Sequence, residues 1–272
     1  MAHANSGRVR IYYDVTEGHG SGSETVVLLQ GLGLSSRFWF EQPTILADMP
    51  DGPKRVVVID NRGAGRSDKP SGRYRMREMA DDVIAVLDAI GCERATLVGV
   101  SMGGMIAQRV AMHHPSRVGG LVLIATMPGL PHSRLPSPKA IGLLLTLPLQ
   151  KKRSRQHDRL LLPENELDRA SVHFAKWPDA LAKDPLSAST FASQFAAVAT
   201  NWTGRLHDKI ECPAVIVSGK EDILIPPENG ARIAKRIRNS HNVVLDNIAH
   251  AIPLLDKEVV TRSLRQLRMM TS

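Results

Sequence analysis

Six short runs of consecutive apolar residues set the terms for this chain: Thr25–Leu29, Arg55–Ile59, Ala95–Val100, Val118–Ala125, Ala214–Ser218 and His241–Leu245. Runs that are polar on neither face are typical of strands buried on both faces of a parallel sheet. Between them lie helical patterns. Arg77–Ile90 places Met79, Val83, Val86, Leu87 and Ile90 at three- and four-residue spacing, and Gly91 stops it as a C-cap would. Ser101–His113 is a second helix, ended by Pro115, and Glu228–Ile237 and Asp256–Met269 are two more. At the front, Arg8–Thr16 alternates apolar and polar like a half-buried strand, after a turn at Asn5-Ser6-Gly7. Strand alternating with helix predicts an α/β fold with right-handed crossovers and a mostly parallel, doubly wound sheet.

The rhythm breaks between Met127 and Glu211, a stretch with many prolines, helix-like patches and no convincing strand. So long a connection is far beyond the usual ~4–6 residues and has to be a structure of its own. The expected organisation is a core of residues 1–126 and 212–272, with a helical cap over 127–211.

Composition narrows the partners. Hydrophobic residues make up 43% and charged residues 23%, which excludes a disordered chain. The longest apolar stretch, Ile141–Leu149, falls well short of the ~20 residues a membrane span needs. Met1–Arg10 has no apolar stretch, so no signal peptide is expected there and a cytoplasmic location follows. Cys92 and Cys212 are too few and too far apart for a disulfide scaffold or a zinc site and read as free thiols in a reducing compartment. The net charge of +8 is spread along the chain, and aromatics are only 4%, so nucleic acid is not an expected partner.

Gly99-Val100-Ser101-Met102-Gly103 matches G-x-S-x-G where a buried strand hands over to a helix. A serine on so sharp a turn has strained backbone angles, and glycines two before and two after relieve the crowding. The turn lifts the hydroxyl clear of the sheet, and the backbone N–H of Met102, at the helix start, is free to face an oxyanion. The bland alternative is a glycine-rich turn that packs a helix on a sheet. A nucleophilic serine needs a base, and the base needs an orienting carboxylate. Asp222 lies just past the next-to-last strand and His250 just past the last one. All three sit on the sheet edge where open α/β sheets bind ligands, in the order Ser, Asp, His. Singly, Asp222 reads as a turn aspartate and His250 as a loop histidine; jointly, they read as a catalytic set.

A rival reading starts at Gly31-Leu32-Gly33-Leu34-Ser35-Ser36, which follows a strand, with Asp60 ending the next one. This nearly matches a dinucleotide-binding fingerprint, but Ser36 replaces the third glycine, and the bulky Phe38-Trp39-Phe40 followed by Pro43 denies the close packing such a helix needs. No nucleotide cofactor is expected. Adjacent His113 and His114 point about 100° apart on a helix and make a poor metal pair, so no metal is expected either.

The chain resembles the α/β-hydrolase superfamily. Asp60–Pro70 is similar to that family's D-x-R-G-x-G-x-S segment, Ser101–Met105 with His114–Val118 to its nucleophile elbow and the helix behind it, and Gly219–Pro226 to its G-x-x-D-x-x-x-P segment. The resemblance implies Ser101 as nucleophile, His250 as general base, Asp222 as its orienter, and the backbone N–H of Leu32 as a second oxyanion donor. Two positions depart from the family pattern: Gln30 stands where His is usual, and Ala249 where Gly is usual. Gln30 can still order the oxyanion loop through its side-chain amide. Serine rather than aspartate at the nucleophile position excludes the epoxide-hydrolase and dehalogenase branches.

The expected function is therefore a serine hydrolase, without cofactor, acting on a small to medium carboxylic ester or lactone. C–C bond hydrolysis or cofactor-free perhydrolysis and haloperoxidation on the same triad are the alternatives, and a non-enzymatic ligand-binding receptor is the alternative of another class. The cap carries 12 Lys and Arg against 8 Asp and Glu, which favours neutral or anionic small molecules over cationic ones. Its leucine run, Leu143–Leu149, followed by Lys151-Lys152-Arg153, is an apolar stretch with a basic shoulder that could touch anionic lipid, or else a cap helix packed over the site with a charged turn. Pro148 limits any long amphipathic helix there. The sequence sets no oligomeric state.

Overall fold

The computed structural model describes residues 2–150 and 154–270. Eight strands form one sheet: β1 (Ala2–Ser6), β2 (Val9–Glu17), β3 (Thr25–Leu29), β4 (Arg55–Ile59), β5 (Ala95–Val100), β6 (Val118–Ile124), β7 (Ala214–Gly219) and β8 (Ser240–Leu245). Their order is β1-β2-β4-β3-β5-β6-β7-β8. β1 and β2 are antiparallel to their neighbours, and from β4 to β8 every pairing is parallel. This is the mostly parallel sheet that the strand–helix rhythm predicts, in the arrangement that the α/β-hydrolase resemblance implies.

The continuous apolar runs now have a physical reason. In β3, Val27 and Leu29 join the core on one face of the sheet, while Val26 and Leu28 join the core on the other. β6 splits the same way, with Leu121 and Leu123 on one side and Val122 and Ile124 on the other. Side chains alternate across a strand, so a strand covered on both faces must be apolar at every position. Helices α2 (Met76–Ala89) and α3 (Met102–His113) cover the first face, and α1 (Gln42–Ala47) lies with the second.

Between β6 and β7 the described residues hold five α-helices and no strand: α4 (Pro138–Thr146), α5 (Arg155–Asp158), α6 (Ala170–His173), α7 (Trp177–Lys183) and α8 (Ala188–Ala199). Core helices α9 (Glu228–Ala234), α10 (Ile252–Leu255) and α11 (Val259–Met269) complete the chain. No helix among the described residues is long and apolar enough to cross a membrane.

Three local expectations need correction. Ala2–Ser6 is a strand, although its sequence shows no apolar alternation; it is an edge strand held by pairing with β2 through the turn at Gly7, whose φ is +60°. β8 is partly exposed along its length rather than buried on both faces, because it closes the other edge of the sheet. The last helical pattern, expected from Asp256, begins at Val259, and the short α10 stands apart from it. Asp256 instead accepts the backbone N–H of Glu258 at 3.2 Å, which ties down the turn between them.

Candidate active site

Ser101 sits between β5 and α3 with φ +54° and ψ −117°, a backbone conformation that L-residues rarely adopt. Two hydrogen bonds hold the turn: Ser101 N–H donates to Ile124 O at 2.9 Å, and Thr126 Oγ1 donates to Ser101 O at 2.7 Å. The glycines of G-x-S-x-G answer to close backbone approach. A Cβ on Gly99 would lie 2.4 Å from the carbonyl carbon of Gly103, and one on Gly103 only 2.1 Å from Leu29 O. The motif therefore seats α3 directly against β3 and aims the serine at the sheet's carboxyl edge.

Asp222 and His250 meet there. His250 Nδ1 lies 2.7 Å from Asp222 Oδ2, and both side chains are buried. The second carboxylate oxygen, Oδ1, accepts the backbone N–H groups of Leu224 at 2.8 Å and Ile225 at 2.7 Å, so the whole carboxylate is fixed. With Oδ2 accepting from Nδ1–H, the other ring nitrogen, Nε2, is left for a second partner. Ser101 and His250 line the same cavity.

The loop after β3 supplies the remaining polar groups. Gly31 N–H donates to Gln30 Oε1 at 3.0 Å, so the residue that departs from the family pattern does anchor this loop through its side-chain amide. Asn61 Nδ2 donates to Gln30 O at 3.0 Å. Gly33 N–H donates to Gln194 Oε1 at 2.7 Å. Among the described residues, the backbone N–H groups of Leu32 and Met102 find no acceptor. Leu32, Met102 and Ser101 all line the cavity. Backbone donors left without an acceptor in a cavity are the kind of group that can stabilise negative charge on a substrate oxygen.

Asp60 holds this loop to the one after β4. Its fully buried carboxylate accepts the N–H of Ser36 at 2.7 Å and of Arg66 at 2.9 Å, with Arg66 Nε at 2.9 Å. Both carboxylate oxygens are engaged in holding two loops together. His113 and His114 diverge as their spacing requires: His113 Nε2 is 3.5 Å from Arg109 Nη1, and His114 Nε2 is 3.2 Å from Asp81 Oδ1. Burial, with Arg109 next, lowers the pKa of His113.

The cavity has a volume of about 930 Å³, near the top of the ~300–1,000 Å³ range for ligand sites. Its walls are aliphatic and aromatic, with Leu144, Leu147, Phe191 and Phe195 contributed by the helical segment between β6 and β7. Of the leucine run, Leu144 and Leu147 face the cavity, whereas Leu145 and Leu149 are exposed. The basic shoulder Lys151-Lys152-Arg153 lies outside the described residues. Sequence reasoning missed Gln194, a fully buried amide on α8. Its one signal was the polar pair Ser193-Gln194 within the otherwise apolar stretch Phe191–Ala197.

A parallel sheet with a strained serine at the strand–helix turn and an Asp–His pair at the same edge defines the α/β hydrolases. The comparisons agree. The family model for the alpha/beta hydrolase fold matches residues 24–257, and the chain belongs to that family. It is 30% identical over 252 residues to the 2-hydroxy-6-oxononadienedioate/2-hydroxy-6-oxononatrienedioate hydrolase of Paraburkholderia phymatum, covering 89% of this chain and 85% of the relative. It is 28% identical over 240 residues, 85% of each chain, to a Caulobacter sp. (strain K31) protein named carbamate hydrolase RutD. Among solved structures, Est816, described as an N-acyl homoserine lactone degrading enzyme, superposes with a TM-score of 0.71 at 28% identity, covering 97% of this chain and 99% of that one.

Proposed function

We propose that this hydrolase is a serine enzyme that cleaves a carboxylic ester or lactone through an acyl-enzyme on Ser101. The observation that carries the reading is the 2.7 Å contact from buried Asp222 to His250, which lines the same cavity as Ser101 at its strained turn. In this scheme Ser101 Oγ attacks the carbonyl carbon while His250 Nε2 takes its proton. Asp222 keeps the proton of the imidazole on Nδ1 and stabilises the imidazolium. The carbonyl oxygen becomes an oxyanion facing the N–H groups of Leu32 and Met102, the two donors without an acceptor among the described residues. His250 then passes its proton to the leaving alkoxide, the C–O bond breaks, and water attacks the acyl-enzyme by the same route in reverse. Residues 127–211 act as a helical cap on a core of 1–126 and 212–272, and the scheme calls on no cofactor. A reducing, cytoplasmic setting goes with the buried, unpaired Cys92 and Cys212; burial pushes the Cys212 thiol up to about 11, which keeps it protonated and inert.

The cavity supports a substrate with a larger apolar part than the sequence suggests, because a volume of about 930 Å³ exceeds the needs of a short ester. The second reading is C–C hydrolysis, raised by the relative at 30% identity. That relative's name denotes a dicarboxylate substrate, which calls for strong cationic partners. Among the described residues the cavity wall here holds no arginine, and of its two lysines Lys176 is paired with Glu41. The wall thus favours a neutral substrate. The test is a panel of p-nitrophenyl esters, lactones and vinylogous diketones under one set of conditions. Ester or lactone turnover supports the reading; diketone cleavage with negligible ester turnover overturns it. A fluorophosphonate probe that fails to label Ser101 would favour the receptor alternative.

A further inference from the structure

Helix α8 reaches out of the segment between β6 and β7 and rests on two loops of the core. Phe191 packs over Gly33, where an added Cβ would meet its ring at 3.0 Å, and Thr190 packs over Gly63, where an added Cβ would meet it at 3.2 Å. Both glycines have positive φ, +77° and +84°, and they lie in the loops that follow β3 and β4. Between these two contacts Gln194 enters, with no exposed surface. Its Oε1 accepts Gly33 N–H at 2.7 Å, and its Nε2 donates to Arg62 O at 2.7 Å. Arg62 is itself immobilised by Asp82 through two bonds of 2.6 Å. The amide therefore ties the loop after β3 to a fixed point in the loop after β4.

The consequence concerns Leu32. The N–H before it, on Gly31, is held by Gln30, and the N–H after it, on Gly33, is held by Gln194. Leu32 N–H is left between two anchored peptides, one anchored by the core and one by α8. A donor is worth most to a developing oxyanion when its position is fixed before the reaction. The same helix turns Phe191 and Phe195 into the cavity wall, so the element that touches the substrate also carries the second anchor.

We propose that Gln194 is a positioning residue for the oxyanion donor Leu32, so that this half of the oxyanion hole is in place only when α8 is seated on the core. The proposal rests on the serine-hydrolase reading of the site. Gln194 does not touch the reacting atoms; it acts through Gly33. Removing its amide frees one end of the Leu32 peptide and lowers transition-state stabilisation without altering the apolar walls that bind substrate.

The experiment compares wild type with Gln194→Met, which keeps length and apolar packing but loses both hydrogen bonds, and Gln194→Glu, which keeps an acceptor for Gly33 N–H. Thr190→Ser, which trims the neighbouring contact and leaves the amide alone, is the control. Active sites are counted with a fluorophosphonate, and kcat and KM for a p-nitrophenyl ester are expressed per labelled site. Affinity for a boronic acid, whose tetrahedral adduct places an oxygen in the hole, is measured alongside. The expected result is at least a tenfold fall in kcat for Gln194→Met, a KM within about threefold of wild type, and a parallel loss of boronic-acid affinity. Gln194→Glu retains more of kcat than Gln194→Met, and Thr190→Ser stays near wild type. If Gln194→Met turns over normally per labelled site and binds the boronic acid normally, Gln194 serves folding alone and the proposal is overturned while the serine-hydrolase reading stands. If wild type itself takes no label at Ser101, both fall together.

Discussion

Acid should destabilise this protein through one histidine away from the reaction. His207 is fully buried. Its Nε2 lies 3.0 Å from Gln108 Oε1, and Gln108 Nε2 already donates to Gly104 O and Met127 O, so Oε1 is an acceptor and the His207 proton resides on Nε2. The other ring nitrogen, Nδ1, is buried with no partner. Protonating it would bury a charge with no acceptor, near Arg236, His132 and Arg109. Burial first, and those basic neighbours second, push its pKa down to about 3. In the unfolded chain the same group titrates near ~6.5. The folded pKa is the lower one, so the unfolded chain binds the extra proton. Stability is fully present above the unfolded value and is lost as pH falls from there toward the folded one. Between pH 7 and pH 5 the loss runs over about 1.5 pH units at ~1.36 kcal/mol each, or about 2 kcal/mol. For a chain of this size that is a fall in Tm of about 4–8 °C from this residue alone. The assay is urea unfolding and thermal melting of wild type and His207→Gln at both pH values, a replacement whose amide can still donate to Gln108. Groups common to both proteins cancel in the difference. Wild type should lose about 2 kcal/mol more than the variant on going to pH 5. Equal losses in the two would refute the buried neutral histidine.

Gly103→Ala should leave little folded, active enzyme, because its Cβ would lie 2.1 Å from Leu29 O, a backbone atom with nowhere to go. Gly142→Ala on α4 meets nothing within 4 Å and should be neutral or stabilising by up to ~1 kcal/mol, read as a rise in Tm. Asp222→Asn should lower kcat by about 10⁴-fold, because an amide presented to Nδ1 favours the wrong imidazole tautomer. Across straight-chain p-nitrophenyl esters, kcat/KM should rise about fourfold per added methylene, the equivalent of ~0.8 kcal/mol of burial each, until the cavity is filled. A maximum at acetate would show that the substrate does not use the aliphatic wall.

Much of this was legible from the chain because a few local constraints are hard. A strand covered on both faces has to be apolar at every position, which marked β3 to β7. The elbow needs glycine where a Cβ would strike Leu29 O and the Gly103 backbone, which marked Ser101. Asp222 and His250 stood out because a parallel sheet delivers the ends of successive strands to one edge. What stayed hidden depends on contacts distant in sequence. Nothing in Ala2–Ser6 says strand until β2 offers its edge, and nothing in His241–Leu245 says that its outer side lacks a neighbour. Gln194 is separated from Gly33 by 161 residues, and only the docking of α8 gives its amide a purpose. The cavity volume likewise belongs to the way the helices between β6 and β7 are placed, which no local pattern encodes.

In the proposed reaction Ser101 carries the acyl group. Rapid-quench intact-mass spectrometry during turnover of p-nitrophenyl octanoate tests it directly, with the adduct located by peptide mapping. One octanoyl adduct per chain is expected, on the peptide that holds Ser101, formed with the first burst of nitrophenol and absent from Ser101→Ala, which should also lose turnover while keeping its Tm. An adduct on another residue, or nitrophenol release by Ser101→Ala at the wild-type rate, would contradict it.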